Sequence, residues 1–123
     1  METGIVVFAH GSSVASANDA VREIAARANF PLFETAFLES AEPNLAEAVR
    51  RLTGRGASRI LVIPYFLTLG LHLQRDLPAI VHELSNIYKG MEIRIAPPLD
   101  GHPALSGILL DRAREALSEG GWQ

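Results

Sequence analysis

The histidines of this chain stand in positions that raise the first question about function. His10 directly follows the apolar run IVVFA, and His72 follows the apolar run ILVIPYF after a few residues. Glu39 follows a third apolar segment, PLFETAFL, and adds a carboxylate to the set. Two imidazoles and a carboxylate suit a borderline divalent metal ion such as Co²⁺, Fe²⁺, Ni²⁺ or Zn²⁺. Three protein ligands would leave coordination positions open for water or substrate, as catalytic metal sites do.

Small and polar residues flank the two histidines. Gly11 directly follows the first histidine, and Gly70 lies two positions before the second. A residue without a Cβ would let a bulky ligand approach the backbone closely. Ser12 and Ser13 are suited to cap the first helix, whose N-terminus can hold an anion. We therefore expect these four residues near a bound ligand.

Each of these residues also has a purely structural interpretation. A lone histidine at the end of a strand is more often a hydrogen-bonded structural group than a ligand, and Glu39 is most simply a surface carboxylate. His72 lies in the unusual apolar segment 67–73, which we predict to be a loop where a polar group needs a partner. The dipeptide His102-Pro103 indicates a helix start. His82 is predicted to lie on a solvated helix surface.

Alternating patterns along the chain place these residues at one edge of a sheet. Four apolar segments predict short strands, and each is followed by a helical pattern of apolar residues. This β-α alternation predicts an α/β three-layer sandwich with a four-stranded parallel sheet and flavodoxin-like order 2-1-3-4. Ligands bind outside the carboxyl ends of such strands, so His10 and His72 are expected to meet there. The predicted strands are 5–9, 32–38, 59–64 and 91–96.

Prolines, glycines and one acidic residue mark the predicted helix ends. Pro43 and Pro103 are well placed for first helical turns, and Gly54 and Gly90 for helix C-termini. Asp76 precedes a leucine and a proline, and its carboxylate can accept unpaired backbone N–H groups. The pattern therefore predicts Asp76 as the N-cap of the third helix.

Length and composition exclude several classes of function. At 123 residues, the chain forms one domain, 1–123, and it has no cysteine, so thiolate nucleophiles, thiolate zinc sites and iron–sulfur clusters are excluded. A net charge of −3 with mixed signs gives no sign of nucleic-acid binding. No apolar run approaches the roughly 20 residues of a membrane helix. The first residues lack a signal peptide, which predicts a cytoplasmic protein.

Several motifs resemble those of the small CbiX/SirB sirohydrochlorin chelatases, which belong to the ferrochelatase-like superfamily. The resemblance covers nearly the whole chain in the right order. Its most specific part is a G-x-H-x-x-x-D-hydrophobic-P string, here Gly70 to Pro78. The matching segments are AHGSS, FLESAEPNLAEAV, IPYFLTLGLHLQRDLP and PPLDGHPAL.

The resemblance implies an activity and a set of roles. A family member inserts a divalent metal, here expected to be cobalt, with iron or nickel in other branches, into sirohydrochlorin during cobalamin or siroheme biosynthesis. His10 and His72 would bind the metal, with Glu39 as a further ligand or proton acceptor, and the metal is a substrate, with no organic cofactor. Short members resemble one half of the two-lobed chelatases, which implies a homodimer with the cleft between subunits. The expected substrate-binding residues are Gly11, Ser12, Ser13, Gly70 and Arg75.

One departure and three alternatives accompany this interpretation. Many relatives have a charged sequence after His-Gly-Ser, whereas this chain continues Val14-Ala15, so a substrate-binding arginine is missing. A metal or tetrapyrrole carrier on the same scaffold would share every residue named above. A phosphoryl-transfer enzyme could use His10 as nucleophile, but it would need arginines, and Arg22 is the nearest in sequence. A structural flavodoxin-like module is disfavoured by the polar groups clustered at one edge.

Overall fold

Strands and helices alternate along residues 2–119, the part of the chain that this computed structural model describes. The four strands are parallel and lie in the order β2-β1-β3-β4, which confirms the predicted fold class and strand order. None of the helices in this part of the chain has the length and apolar character needed to cross a bilayer. The elements are β1 (Thr3–Ala9), α1 (Ala15–Arg27), β2 (Phe33–Phe37), α2 (Leu45–Gly54), β3 (Arg59–Tyr65), α3 (Leu71–Ile87), β4 (Glu92–Ile95) and α4 (Ala104–Glu119).

One face of the sheet, which we call the closed face, is covered by α2 and α3. Leu52 of α2 and Leu77 of α3 are fully buried because the apolar stripe of each helix lies on the strands. Burying one leucine side chain contributes about 1.5–3 kcal/mol to folding. The buried residues of the closed face are Val6, Phe8, Leu32, Ala36, Leu45, Ala48, Val49, Leu52, Ala57, Ile60, Val62, Leu77, Val81 and Leu84.

The opposite face, which we call the open face, is only partly covered. α1 buries Ala25 in a second, smaller cluster with side chains of β1. Leu61, Ile63 and Tyr65 of β3 belong to the same face and remain only partly buried. α4 has no buried residue, and its Leu109 is 72% exposed. The third layer of the predicted sandwich is therefore incomplete over β3 and β4.

The third helix begins earlier than the sequence predicts. α3 starts at Leu71 with Gly70 as its N-cap, so Asp76 lies in the second turn and the predicted N-cap is wrong. Pro78 lies inside the helix, where it cannot donate a backbone hydrogen bond. The helix extends towards its N-terminus because Leu73 packs against the closed-face core, which continues the apolar stripe by one turn.

The serines after β1 do not cap the first helix, so that prediction is also wrong. The N-cap of α1 is Val14, and no side chain caps it. The buried Asn18 side chain instead accepts a hydrogen bond from the Ser12 N–H at 2.9 Å and donates one to the Ser12 carbonyl at 2.8 Å. One amide side chain thus fixes the turn that connects β1 with α1.

Other predicted helix ends agree with the structure to within three residues. The largest difference is at α3, which ends at Ile87, three positions before Gly90. The Ala104 N–H donates to His102 Nδ1 at 3.0 Å, which confirms that His102 begins the last helix. α2 ends at Gly54 as predicted, whereas its N-cap is Asn44, so Pro43 lies just outside the helix. The sequence signals for caps are therefore reliable where packing does not compete with them.

Candidate functional site

The turn after β1 and the turn after β2 run side by side at the carboxyl edge of the sheet. The backbone N–H of Leu38 donates to the Ala9 carbonyl at 2.9 Å, and that of Glu39 donates to the His10 carbonyl at 3.0 Å. The parallel ladder between the two strands thus continues beyond their last paired residues. This register places the Glu39 side chain beside His10, and His10 Nε2 donates to Glu39 Oε1 at 2.8 Å.

Gly11 makes this arrangement possible. Its φ of +91° lies in a region that side-chain-bearing residues rarely adopt, and a Cβ at this position would lie 1.8 Å from the Glu39 carbonyl oxygen. The sequence led us to expect that this glycine admits a ligand. In the structure, the backbone of the neighbouring turn occupies the space that a Cβ of Gly11 would need. Gly11 is therefore a positioning residue for the pair formed by His10 and Glu39.

An aromatic side chain after β3 contacts the His10 ring from the side. The ring centroids of Phe66 and His10 lie 6.5 Å apart at an interplanar angle of 78°. Phe66 also packs edge-to-face on the buried Phe8, with centroids 6.1 Å apart. The imidazole is thus held by a chain of aromatic contacts that begins in the closed-face core.

His72 lies on the first turn of α3, not in the predicted loop. Asp76 follows it by four positions, so both side chains project from the same side of the helix. His10 and His72 line one cleft of about 360 Å³ at the carboxyl edge of the sheet, as the sequence predicts. The residues that line this cleft are His10, Leu38, Phe66, Thr68, Gly70, His72, Leu73, Asp76 and Ile80.

The predicted three-ligand set is only partly assembled. Glu39 contacts His10 directly, whereas His72 reaches the cleft from another element. Within residues 2–119, no group of three His, Asp or Glu side chains is close enough to form a ready-made metal site. The side chains of His10 and Glu39 are 60% and 62% exposed, and such exposed pairs contribute at most about 1 kcal/mol to stability. The pair therefore adds little to the stability of the fold.

The predicted substrate-binding residues take different positions. Gly70 lines the cleft as the N-cap of α3. Arg75 does not line the cleft, but its Nη2 lies 3.4 Å from His72 Nδ1. Ser12 is engaged with the first helix, and Ser13 is exposed to solvent. The anion-binding role expected of the two serines thus has no preformed geometry in the described residues.

Sequence reasoning missed Asp76 and Phe66 as parts of the site. The signal for Asp76 was present in the i, i+4 spacing from His72, but it applies only if the helix starts at Leu71. Phe66 belongs to an apolar run, and nothing in that run distinguishes a side chain that contacts His10 from one in the core. Asp76 can be assigned to the site only once the start of α3 is known. Phe66 can be assigned only from its contact with the His10 ring.

The geometry argues against the phosphoryl-transfer alternative. Arg22 stacks 5.0 Å over the Phe37 ring, and it donates to Asp19 Oδ1 at 2.8 Å and to the Glu42 carbonyl at 3.1 Å. Among residues 2–119, the side chains that line the cleft include no arginine. A transferring phosphoryl group would therefore lack the planar cations that usually hold it.

Comparison with known sequences identifies the family. The profile of the CbiX family matches residues 4–116. The chain belongs to the CbiX family. One relative is the sirohydrochlorin cobaltochelatase of Sulfolobus acidocaldarius, which is 36% identical over 94% of this chain and 93% of the relative.

Solved structures agree with this assignment. A CbiX protein from Marinobacter aquaeolei superimposes with a TM-score of 0.86 at 32% identity, covering 97% of this chain and all of that one. The sirohydrochlorin chelatase SirB from Bacillus subtilis, solved in complex with cobalt, shares the fold with a TM-score of 0.83 at 24% identity. The CbiX-family chain spans 51% of that longer protein.

Proposed function

We propose that this CbiX-family chain is a sirohydrochlorin chelatase that inserts a divalent metal, with cobalt as the first choice, into the tetrapyrrole. The observation that carries the proposal is the cleft that His10 and His72 line together from two different elements. The family assignment and the cobaltochelatase relative support the reaction and the metal. The metal is a substrate of this reaction, and no organic cofactor takes part.

His10 and His72 hold the incoming metal in this proposal. Imidazole nitrogens suit Co²⁺, Fe²⁺ and Ni²⁺ alike, so the ligands permit several metals. Glu39 accepts a hydrogen bond from His10 Nε2, and a carboxylate partner of this kind fixes the orientation of a ligating imidazole. Asp76 adds a carboxylate to the lining of the cleft, one helical turn after His72. We assign Asp76 to metal binding as well, because it is the acidic side chain among those that line the cleft.

The reaction exchanges one dication for two protons. Both pyrrole N–H protons must leave the macrocycle as metal–nitrogen bonds replace the metal–imidazole bonds. Glu39 and His10 form a connected pair whose side chains are more than half exposed, so protons accepted there pass on to water. We therefore propose Glu39 as the proton acceptor and His10 as the link to the metal.

The macrocycle is proposed to lie against the apolar part of the cleft. Leu38, Phe66 and Leu73 line it beside the histidines. Leu67 and Leu71, which flank this region, are 67% and 84% exposed and offer further apolar surface at the rim. A planar ring hides its nitrogen lone pairs, so a surface that fits a puckered ring better lowers the barrier to insertion.

We propose further that the active form is a homodimer in which the clefts face the subunit interface. The exposure of the His10 and Glu39 side chains supports this proposal, because a tetrapyrrole bound to one chain would have solvent on its other side. The length of SirB also supports it, since that single chain is about twice as long as this fold. We also propose that the enzyme acts in the cytoplasm.

The direct test is metal insertion followed by ultraviolet–visible spectroscopy. We expect the protein to metallate sirohydrochlorin with Co²⁺ over many turnovers, and Fe²⁺ and Ni²⁺ in parallel titrations establish the metal preference. His10→Ala and His72→Ala should each reduce the rate by at least about 100-fold, because a metal ligand is lost. His82→Ala is the matched control, since His82 lies exposed on α3 and its loss should leave the rate unchanged.

Three other outcomes would change the assignment. Bound tetrapyrrole with shifted absorption but no more than one metallation per chain would indicate a carrier. Normal rates in both His10→Ala and His72→Ala would refute the site. Full activity of Asp76→Asn, together with unchanged Co²⁺ affinity by calorimetry, would remove Asp76 from the metal-binding set while leaving the two histidines in place.

A further inference from the structure

One arginine of α1 contacts both ends of the turn after β2, which comprises residues 38–43. Arg22 Nη2 donates to the Glu42 carbonyl near the end of this turn at 3.1 Å. The guanidinium carbon of Arg22 lies 5.0 Å from the ring centroid of Phe37, the buried residue that precedes the turn. Arg22 Nη1 donates to Asp19 Oδ1 on the same helix at 2.8 Å, which orients the guanidinium. A single planar group therefore connects α1 with the turn.

The turn after β2 has a conformation that needs such support. Ser40 has a φ of +65°, in a region that residues with a side chain rarely adopt. A conformation of this kind persists only where the surrounding structure holds it. The Phe37 N–H donates to the Pro43 carbonyl at 2.9 Å, so the carbonyl groups of two consecutive residues are bound, one by the strand and one by Arg22. The end of the turn is thus fixed from two sides.

The start of the same turn is fixed from β1. The N–H groups of Leu38 and Glu39 donate to the carbonyls of Ala9 and His10. Glu39 therefore lies between two anchors, the turn after β1 on one side and Arg22, through Glu42, on the other. Because the Glu39 side chain is more than half exposed, its position depends on its backbone rather than on packing.

We infer that Arg22 is a positioning residue, which holds Glu39 beside His10 through the backbone of the turn after β2. This role rests on the proposed function, in which Glu39 accepts protons and orients the His10 ring. Within the described part of the chain, Arg22 is not among the residues that line the cleft. Arg22 therefore acts on the reaction through Glu39, without touching the metal or the macrocycle.

The set of contacts requires the shape of an arginine. A guanidinium is planar and carries several donors in a fixed fork, so it can stack on a ring and donate to two acceptors at once. A lysine ammonium is a point charge on a flexible stem and cannot stack in this way. The Arg22 side chain is 41% exposed, and an ion pair as open as this adds little to stability. Loss of Arg22 should therefore change the turn more than the stability of the whole fold.

The first experiment measures Co²⁺ insertion in a double-mutant cycle. Arg22→Met keeps an unbranched stem beside Phe37 but removes the donors, and we expect the insertion rate to fall about 10-fold, as is typical when a group that orients a metal ligand is lost. In a Glu39→Ala background, the same substitution should cause no further loss, because the side chain that Arg22 positions is absent. A residue with a merely structural role would lower the rate by the same factor in both backgrounds.

Two further variants serve as controls for this cycle. Arg27→Met is the same substitution on the last turn of the same helix, where the arginine is exposed, and it should leave the insertion rate unchanged. Arg22→Lys retains the positive charge and can donate to the Glu42 carbonyl, so it should recover part of the rate that Arg22→Met loses. Circular dichroism checks that all variants remain folded.

The second experiment needs no activity and measures amide hydrogen exchange by nuclear magnetic resonance. In Arg22→Met, the amides of Leu38 and Glu39 should exchange about fivefold faster, the factor that loss of one typical hydrogen bond supplies. The amides paired between β1 and β3 should exchange at the native rate, because Arg22 does not contact those strands. Arg27→Met should leave both sets of amides unchanged.

Three results would overturn the role of Arg22. These are an equal loss of rate in both backgrounds, native exchange of the Leu38 and Glu39 amides in Arg22→Met, and faster exchange throughout the sheet, which would make Arg22 a residue of general stability. Failure of the proposed function has a different signature. A native insertion rate in Glu39→Ala would refute the role of Glu39 in the reaction, and amide exchange alone would then decide whether Arg22 holds the turn.

Discussion

On the closed face of the sheet, α2 and α3 bury their apolar stripes against β1 and β3, whereas on the open face α1 covers only part of the strands. Leu52 on the closed face is fully buried, while Leu109 of α4, the other helix available to the open face, is 72% exposed. The same four strands thus have one side that is complete within a single chain and one side that is not.

The difference also explains where the candidate site lies. His10 and Glu39 are supported by backbone contacts between β1 and β2, and Phe66 connects the His10 ring to the closed-face core. His72 is carried by α3, which covers the closed face. The site is therefore supported by the better-packed side of the molecule. The open face carries none of these residues.

The largest expected effect is on stability, and it tests whether the closed face is better packed than the open face. Leu52→Ala on the closed face should lower the free energy of unfolding by about 2–5 kcal/mol, because it leaves a cavity in a filled core. Leu61→Ala on the open face should cost less in dilute protein, since this leucine is only partly buried. Urea unfolding of both variants measures the two costs.

The dependence of these two stability losses on protein concentration distinguishes the two faces further. The cost of Leu52→Ala should be independent of protein concentration, because the closed face is complete within one chain. The cost of Leu61→Ala should grow with concentration if the open face is buried by a second copy. Equal costs at every concentration would mean that the two faces do not differ in this way.

A smaller effect is expected at the edge where the two turns meet. Gly11→Ala forces a Cβ towards the Glu39 carbonyl at a positive φ, which should cost about 1–3 kcal/mol and displace Glu39 from His10. Thermal unfolding and the metal-insertion rate should therefore fall together. Gly54→Ala is the control, since a Cβ there meets nothing within 4 Å. Normal insertion by Gly11→Ala would show that the close approach of the two turns is not needed for chemistry.

The smallest effect concerns the outer surface of the closed-face helices. Glu47 near the start of α2 accepts hydrogen bonds from Arg50, which lower the pKa of the carboxyl from 4.5 to about 2. Because the folded-state pKa is depressed, this carboxylate stabilises the fold above pH 4.5, and the contribution is lost as the pH falls towards about 2.

We therefore expect Glu47→Gln to lower the melting temperature slightly at pH 7, and the difference from the native protein to vanish near pH 2. Melting curves recorded between these values provide the measurement. A difference that persists unchanged at pH 2 would mean that Glu47 stabilises α2 by something other than its charge.

Much of the fold was predictable from the chain because the signals for it are local. The strand segments, their parallel order and the helix start after His102 follow from apolar periodicity and cap residues, and the structure confirms them. The cleft shared by His10 and His72 also follows, since the carboxyl ends of neighbouring parallel strands must lie together.

The wrong predictions arise where packing overrides a local signal. Asp76 precedes Leu77 and Pro78, which resembles a helix start, but the burial of Leu73 carries the helix one turn further towards its N-terminus. The predicted serine caps fail for a similar reason, since the buried Asn18 side chain binds the turn more completely than a hydroxyl could. In both cases the packing of a buried or partly buried side chain outweighs a preference of the residues next to the helix start.

The sequence alone determined the alternation of elements, the family and the residue types at the carboxyl edge. Each of these can be recognised from short segments of the chain. Only the tertiary structure decided that Gly11 makes room for Glu39, that Asp76 faces the cleft and that α4 lies away from its own sheet. His10 and Glu39 are 29 residues apart, and their contact depends on the register between two strands. Register and helix docking are set by the fit of whole surfaces, which no local pattern contains.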